Sequence, residues 1–164
     1  MAKGRKKSAQ PATLSPRIVN RRARHDYHVQ ESLEVGVRLL GTEVKAVRLG
    51  RASIAEGFAR VDPHSQELFL HNVEISQYPP AGPNQHEPKR ARKLLAHRRE
   101  IARLAGLTAS KGTTLVPLAM YFKAGRVKLE LGVATGKRQH DKRQDIKQRD
   151  AERDMRRAMT RKHL

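Results

Sequence analysis

The odd positions Tyr27, Val29, Leu33, Val35, Val37 and Leu39 are apolar, and His28, Gln30, Ser32 and Glu34 between them are polar. That period of two predicts a half-buried strand over 25–39, with Glu31 the one misfit on the apolar face. Residues 42–49 read as a short helix. Thr42 can cap it, Leu40, Val44 and Val47 share a face, and Gly50 can close it. Strand patterns follow at 53–61 and 67–75, joined by "DPHSQ" into a hairpin. The Pro-rich "SQYPPAGPNQHEP" is a loop. Residues 89–105 read as a helix with Leu94, Leu95, Ile101 and Leu104 on one face, arginines on the other and Gly106 as a stop. Two further strands, 113–122 and 126–134, are linked by "KAG", and Pro117 predicts an edge or a bulge.

Five or six strands and two helices without regular alternation predict an antiparallel sheet. The expected class is mainly β with flanking helices. The pattern alone leaves a Greek-key barrel and an open α+β sheet equally open. Three segments are expected: a disordered basic leader at 1–16, a folded unit at 17–136, and a basic tail at 137–164.

The tail has no Gly or Pro after Gly136, yet the only larger apolar residues over 141–161 are Ile146, Met155 and Met159. Residues 141–161 could form a helix of about 32 Å. Without a face to bury, such a helix is marginal in water. The tail is therefore expected to be flexible when free and helical on a partner.

Charge names the class of partner. The chain of 164 residues carries 35 Lys and Arg against 16 acidic residues, a formal net charge of +19. Its basic residues cluster in 1–24, 89–103 and 137–164. That is the footprint of a polyanion binder, with nucleic acid first. No apolar stretch could span a bilayer, so no membrane is expected. Only three Tyr and three Phe are present and no Trp, few for a protein that binds single strands mainly by stacking.

Catalytic and metal chemistry is not indicated. There is no Cys. His25 and His28 would face opposite sides of a strand, so no metal site is expected. His140 and Asp141 are neighbours that would point apart on a helix. "GKRQ" lacks the glycine spacing of a phosphate-binding loop. The expectation is a protein that is not an enzyme and has no cofactor.

Four segments carry a resemblance: "NRRARHDY" at 20–27, "GTEVKAVRLGRASI" at 41–54, "RARKLLAHRREI" at 90–101 and "GVATGKRQHDKRQDIKQRD" at 132–150. In this order and spacing the chain resembles the SmpB family, the SsrA-binding proteins that partner transfer-messenger RNA (tmRNA) in bacterial trans-translation. The resemblance implies an OB-type antiparallel β-barrel with flanking helices and a flexible tail. It implies binding to the transfer-RNA-like domain of that RNA, where the barrel substitutes for a missing anticodon arm. With elongation factor Tu and GTP, engaged through the RNA, the complex would enter ribosomes stalled on messages lacking a stop codon. The stalled product would then be tagged for degradation.

By the same resemblance, Asn20, Tyr27, Glu34 and Leu95 would bind tmRNA, with Arg21, Arg22, Arg92 and Lys93 as phosphate partners. Periodicity alone puts Tyr27 in the core, leaves Leu95 equally explained by helix burial, and allows Glu34 an internal ion pair with an arginine instead. His140 would stack on a ribosomal RNA base in the decoding centre, beside Asp141, Lys142 and Arg143. Lys147, Arg149, Arg153 and Arg157 would track phosphates along the empty message channel, with Met159 as an apolar anchor. Ala151 and Ala158 stand where larger residues can occur, which weakens apolar contact there. A cytoplasmic monomer that meets both ribosomal subunits is implied. The alternatives are a structural ribosomal protein with a basic tail that fills ribosomal RNA, and an RNA-processing enzyme.

Overall fold

A computed structural model of the chain describes residues 16–138 together with Ala151, Arg153, Met155 and Met159. The described part is mainly antiparallel β with few helices. In chain order it runs β1 (Ile18–Val19), α1 (Arg21–Asp26), β2 (Tyr27–Val37), α2 (Gly41–Arg48), β3 (Ala52–Ser53), β4 (Phe58–Val61), β5 (Leu68–His71), β6 (Glu74–Ile75), β7 (Arg92–Leu95), α3 (Arg98–Thr108), β8 (Thr113–Lys123) and β9 (Arg126–Gly136). The main sheet has the order β1-β8-β4-β5-β7-β2-β9, and β8 also pairs with β9. The link between β4 and β8 rests on one residue pair, Ala59 with Leu115. β3 and β6 form a separate two-stranded sheet.

In the β8–β9 hairpin only the first half of β9 alternates: Val127, Leu129 and Leu131 are buried, and Arg126, Lys128 and Glu130 are not. Ala124 and Gly125 both have positive φ, as a tight two-residue hairpin turn requires. The register slips between Pro117 and Ala119, so Pro117 marks a bulge. A second slip in β2 lies between Val29 and Glu31. Around its bulge β8 buries both faces, while β2 keeps one face open, with His28, Gln30, Ser32 and Glu34 exposed. Val35, Leu68, Leu94, Leu115, Met120 and Leu129 fill the main core. Val116, Leu118 and Ala134 pack beneath Ala23 of α1, with Tyr27 and Val29 at the margin. This is why Leu115 through Met120 are all buried. Glu31 lies beyond the β2 bulge, and its carboxylate meets Arg103 of α3 at 2.5 Å.

Several expected boundaries are corrected. The strand predicted over 25–39 begins only at Tyr27, because Asn20 caps α1 by accepting a hydrogen bond from Ala23 N at 3.0 Å. His25 therefore lies on a helix and His28 on a strand. Thr42 does not cap α2. Leu40 N instead donates to the Glu43 carboxylate, and the Thr42 hydroxyl bonds His86. The strands predicted at 53–61 and 67–75 each break in two, and only β4 and β5 form the expected hairpin.

The largest correction is the helix predicted over 89–105. Its first half is β7, paired with β5 and β2, and α3 starts only at Arg98. Arg92 and Leu94 alternate inward while Lys93 and Leu95 face outward. An arginine at an inward strand position hides the period of two.

Gly57 marks the break before β4. A Cβ there would lie 2.5 Å from Val73 Cγ2 and 3.0 Å from Pro117 Cγ. Gly57→Ala should therefore cost about 1–3 kcal/mol by overpacking. Gly41→Ala, where a Cβ meets nothing within 4 Å, serves as the control and should be close to neutral. Urea unfolding checks both: the Gly57 variant's midpoint should fall at unchanged slope.

Candidate RNA interface

Two patches at opposite ends of β2 collect the exposed candidate side chains. Tyr27 and Glu34 lie seven residues apart, roughly 23 Å along the strand.

The first patch is built on α1. Asn20 is 3% exposed, and its Nδ2 donates to Ile54 O at 3.1 Å and Pro117 O at 3.0 Å. With its side-chain oxygen capping α1, Asn20 bolts the helix to the sheet, and its side chain is sealed from any RNA. What it positions is exposed: Arg21, Arg22 and Arg24. Arg22 pairs with Glu56 at 2.9 Å. Tyr27 is half-buried at the foot of α1: it packs on the small outer cluster, the side on which periodicity placed it, and keeps an open edge. A groove of about 410 Å³ runs past Arg22, Asp26, Tyr27, Glu56, Phe58 and Thr114. The start of the tail is tied here as well. Lys137 N donates to Asp26 O and its Nζ to Arg24 O, both at 2.9 Å.

The second patch lies across β2, β9 and β8. Glu34 accepts hydrogen bonds from Tyr121 Oη at 2.6 Å and Lys123 Nζ at 2.9 Å. The Tyr121 hydrogen bond, then Lys123, hold the Glu34 carboxyl below its ordinary value, so it stays ionised. The internal ion pair considered for Glu34 exists, with a lysine and a tyrosine where an arginine was expected. The Arg17 guanidinium lies 4.8 Å from the centre of the Tyr121 ring and pairs with Glu130 at 2.7 Å. Leu95 is 52% exposed against Gly36, at the rim of a groove of about 450 Å³ shared with Val37, Val44, Arg126 and Lys128. Because β7 is a strand, Leu95 is not taken up by helix burial. An exposed leucine in a groove with Arg126 and Lys128 suits contact with a ribose or base.

Two expected phosphate partners fare differently. Lys93 is partly exposed and paired with Glu67. Arg92 is wholly buried, and its guanidinium is consumed by Glu43 and by Val73 O, Arg90 O and Pro88 O. It cannot reach a phosphate, and its role is internal. Tyr121, Lys123, Arg126 and Lys128 were not singled out from the sequence. For Arg126 and Lys128 the polar positions of β9 were the only signal, and Tyr121 and Lys123, at the end of β8, had none.

In the tail, Ala151, Arg153, Met155 and Met159 are helical with exposed side chains. His140, Asp141, Lys142, Arg143, Lys147, Arg149 and Arg157 lie outside the described residues. No described helix is long and apolar enough to cross a membrane.

A family model described as SmpB protein matches residues 17–161. The SsrA-binding protein of Thermobifida fusca is 49% identical over 159 residues, covering 96% of this chain and 98% of its own length. That of Chloroflexus aurantiacus is 53% identical over 143 residues, covering 87% and 88%. A solved structure described as "tmRNA-SmpB: a journey to the center of the bacterial ribosome" is similar with a TM-score of 0.64 at 43% identity, over 80% of this chain and 94% of that one. The match spans the folded unit and most of the basic tail, and it agrees with the two exposed patches: the chain belongs to the SmpB family.

Proposed function

We propose that this chain is an RNA-binding adaptor. It binds the transfer-RNA-like domain of tmRNA and delivers it to ribosomes stalled on messages without a stop codon, where the nascent protein is tagged for degradation. The observation that carries this reading is the family match over residues 17–161, which takes in fold and tail together. The solved relative described as a tmRNA–SmpB structure in the bacterial ribosome supports both partners. The strand pairings support an OB-type barrel, since β8 joins both β4 and β9 and the ring β8-β4-β5-β7-β2-β9 returns on itself. Arg21, Arg22, Tyr27, Glu34, Lys93 and Leu95 are the described residues of the family's RNA surface that remain available. Asn20 and Arg92 act by holding them in place.

In this reading the folded unit is one module and the tail another. His140, Asp141, Lys142 and Arg143 probe the decoding centre, and Lys147, Arg149, Arg153, Arg157 and Met159 follow the message channel. Elongation factor Tu with GTP is engaged through the RNA. The protein works as a cytoplasmic monomer, without a cofactor and without turnover.

The competing reading is a structural ribosomal protein. Quantitative mass spectrometry of ribosomes separates the two. An adaptor should be sub-stoichiometric overall and enriched on ribosomes halted at the end of a message. Equal, stoichiometric occupancy of translating and halted ribosomes would sink the adaptor reading.

A further inference from the structure

The outer face of the β4–β5 hairpin is unlike the other exposed strand faces. Its inward positions are ordinary: Ala59, Leu68 and Leu70 are buried. Its outward positions are Phe58, Arg60, Phe69 and His71. Phe58 lies directly across from His71, and Arg60 across from Phe69. The Phe58 and His71 rings are stacked, with centroids 5.4 Å apart and planes 22° from parallel. Phe69 tilts against His71 at 6.5 Å. Two of only three phenylalanines in the chain are thus spent on one outward face. Phe58 is 42% exposed there, and no described element covers it.

The cation beside these rings is uncommitted. Arg60 is exposed and has no ion-pair partner among the described residues. Asp62 shares with it a concavity of about 320 Å³, lined also by Pro63, Phe69 and His71. The Asp62 carboxylate serves its own turn, accepting from Ser65 Oγ at 2.6 Å and from the backbone N–H groups of His64 and Ser65. Rings that offer π-faces with a free guanidinium alongside are what an unpaired base and its phosphate require.

The platform is not isolated. Phe58 also lines the groove that holds Arg22 and Tyr27. A strand leaving α1 along that groove arrives at the Phe58–His71 stack.

We infer that Phe58, Phe69, His71 and Arg60 form a stacking site for an unpaired base of the same RNA that α1 engages. The rings hold the base and Arg60 holds the adjoining phosphate. The inference rests on the RNA-binding reading for the class of ligand, and adds a surface that the α1 and Glu34 patches do not contain.

The test uses the full chain and a transcript of the transfer-RNA-like domain with 4-thiouridine in place of uridine. After irradiation, mass spectrometry should locate crosslinks within residues 58–71. Phe58→Leu, which keeps an apolar side chain at an exposed position, should reduce that crosslink. It should also weaken binding of a short single-stranded RNA by about 5- to 100-fold, leaving a duplex of the same length unaffected. Arg60→Gln should lower the salt slope of single-strand binding by about one. The inference is overturned if the parent chain binds the transcript without crosslinking in 58–71, or if crosslinks there appear only once ribosomes are added. Single-strand affinity unchanged in Phe58→Leu also overturns it. A parent chain that binds no RNA overturns both this site and the adaptor reading.

Discussion

Removal of residues 139–164 is expected to leave affinity for the transfer-RNA-like RNA nearly intact and to abolish tagging on stalled ribosomes. The cut follows Lys137, whose backbone and side chain are tied to α1, so the folded unit keeps its own contacts. Both exposed patches lie on α1 and the strands and stay in place. At physiological salt the tail's charge reaches only about 8 Å, so its steering of RNA to those patches is weak. The ribosomal step loses the contacts assigned to Lys147, Arg149, Arg153 and Arg157. At about 1 kcal/mol for each charge-assisted contact, four of them correspond to several hundredfold in occupancy. The measurements are RNA binding by the truncated chain and tagging in a reconstituted translation system. A truncation that weakens RNA binding as severely as tagging would show that the two modules are one.

In the tail, the described residues Ala151, Arg153, Met155 and Met159 are helical with exposed side chains. An RNA partner for the chain was legible through charge and resemblance, because neither depends on packing. In the folded unit, the β8–β9 hairpin, the Pro117 bulge and α2 were legible for a different reason. There the turn and stop residues mark the element ends, although α2 buries Glu43, Ala46 and Val47 and leaves Leu40 exposed. The reading failed where a polar residue is buried or an apolar one is exposed. Arg92 looked like a solvent-facing helix residue, and Leu95 looked like part of an apolar helix face. Both follow from β7 being a strand, and the partners that allow Arg92 inside lie 49 and 19 residues away, in α2 and near β6. No local window contains them. Asn20 was legible as important, but its buried contacts reach Ile54 and Pro117, which only the folded chain brings together. The hairpin of β4 and β5 was predicted while its ring cluster was not, because the stack becomes visible only when the register places Phe58 opposite His71.

Glu43→Ala should be the most destabilising single substitution in the folded unit, at about 3–5 kcal/mol. Glu43 is fully buried on α2. Its Oε1 accepts from Arg90 Nε and Arg92 Nε, each at 2.9 Å, and its Oε2 from Arg90 Nη2 at 2.5 Å and Leu40 N at 2.7 Å. Without the carboxylate, Arg92 becomes a buried cation with no acid bonded to it, and α2 loses its tie to β7. Hydrophobic replacement of the pair offers little relief, since Arg92 also satisfies three backbone carbonyls that would be left without a donor. Burial alone would raise the Glu43 carboxyl. The hydrogen bonds from Arg90 and Leu40 N and the charge of Arg92 outweigh it, so the carboxyl sits below its ordinary 4.5. The unfolded chain then takes up this proton first, and the stability Glu43 contributes is present above about pH 4.5 and lost as pH falls through the folded value. Urea midpoints followed from neutral to acid pH should show that loss in the parent chain. In Glu43→Gln, which keeps the shape but has no proton to gain, this component should vanish and stability should be low throughout. A Glu43→Ala cost below about 1 kcal/mol would mean the group behaves like a solvated surface pair and does not anchor β7. Leu95 sits at the end of that strand, so a true anchor should also carry RNA affinity down with it when α2 is released.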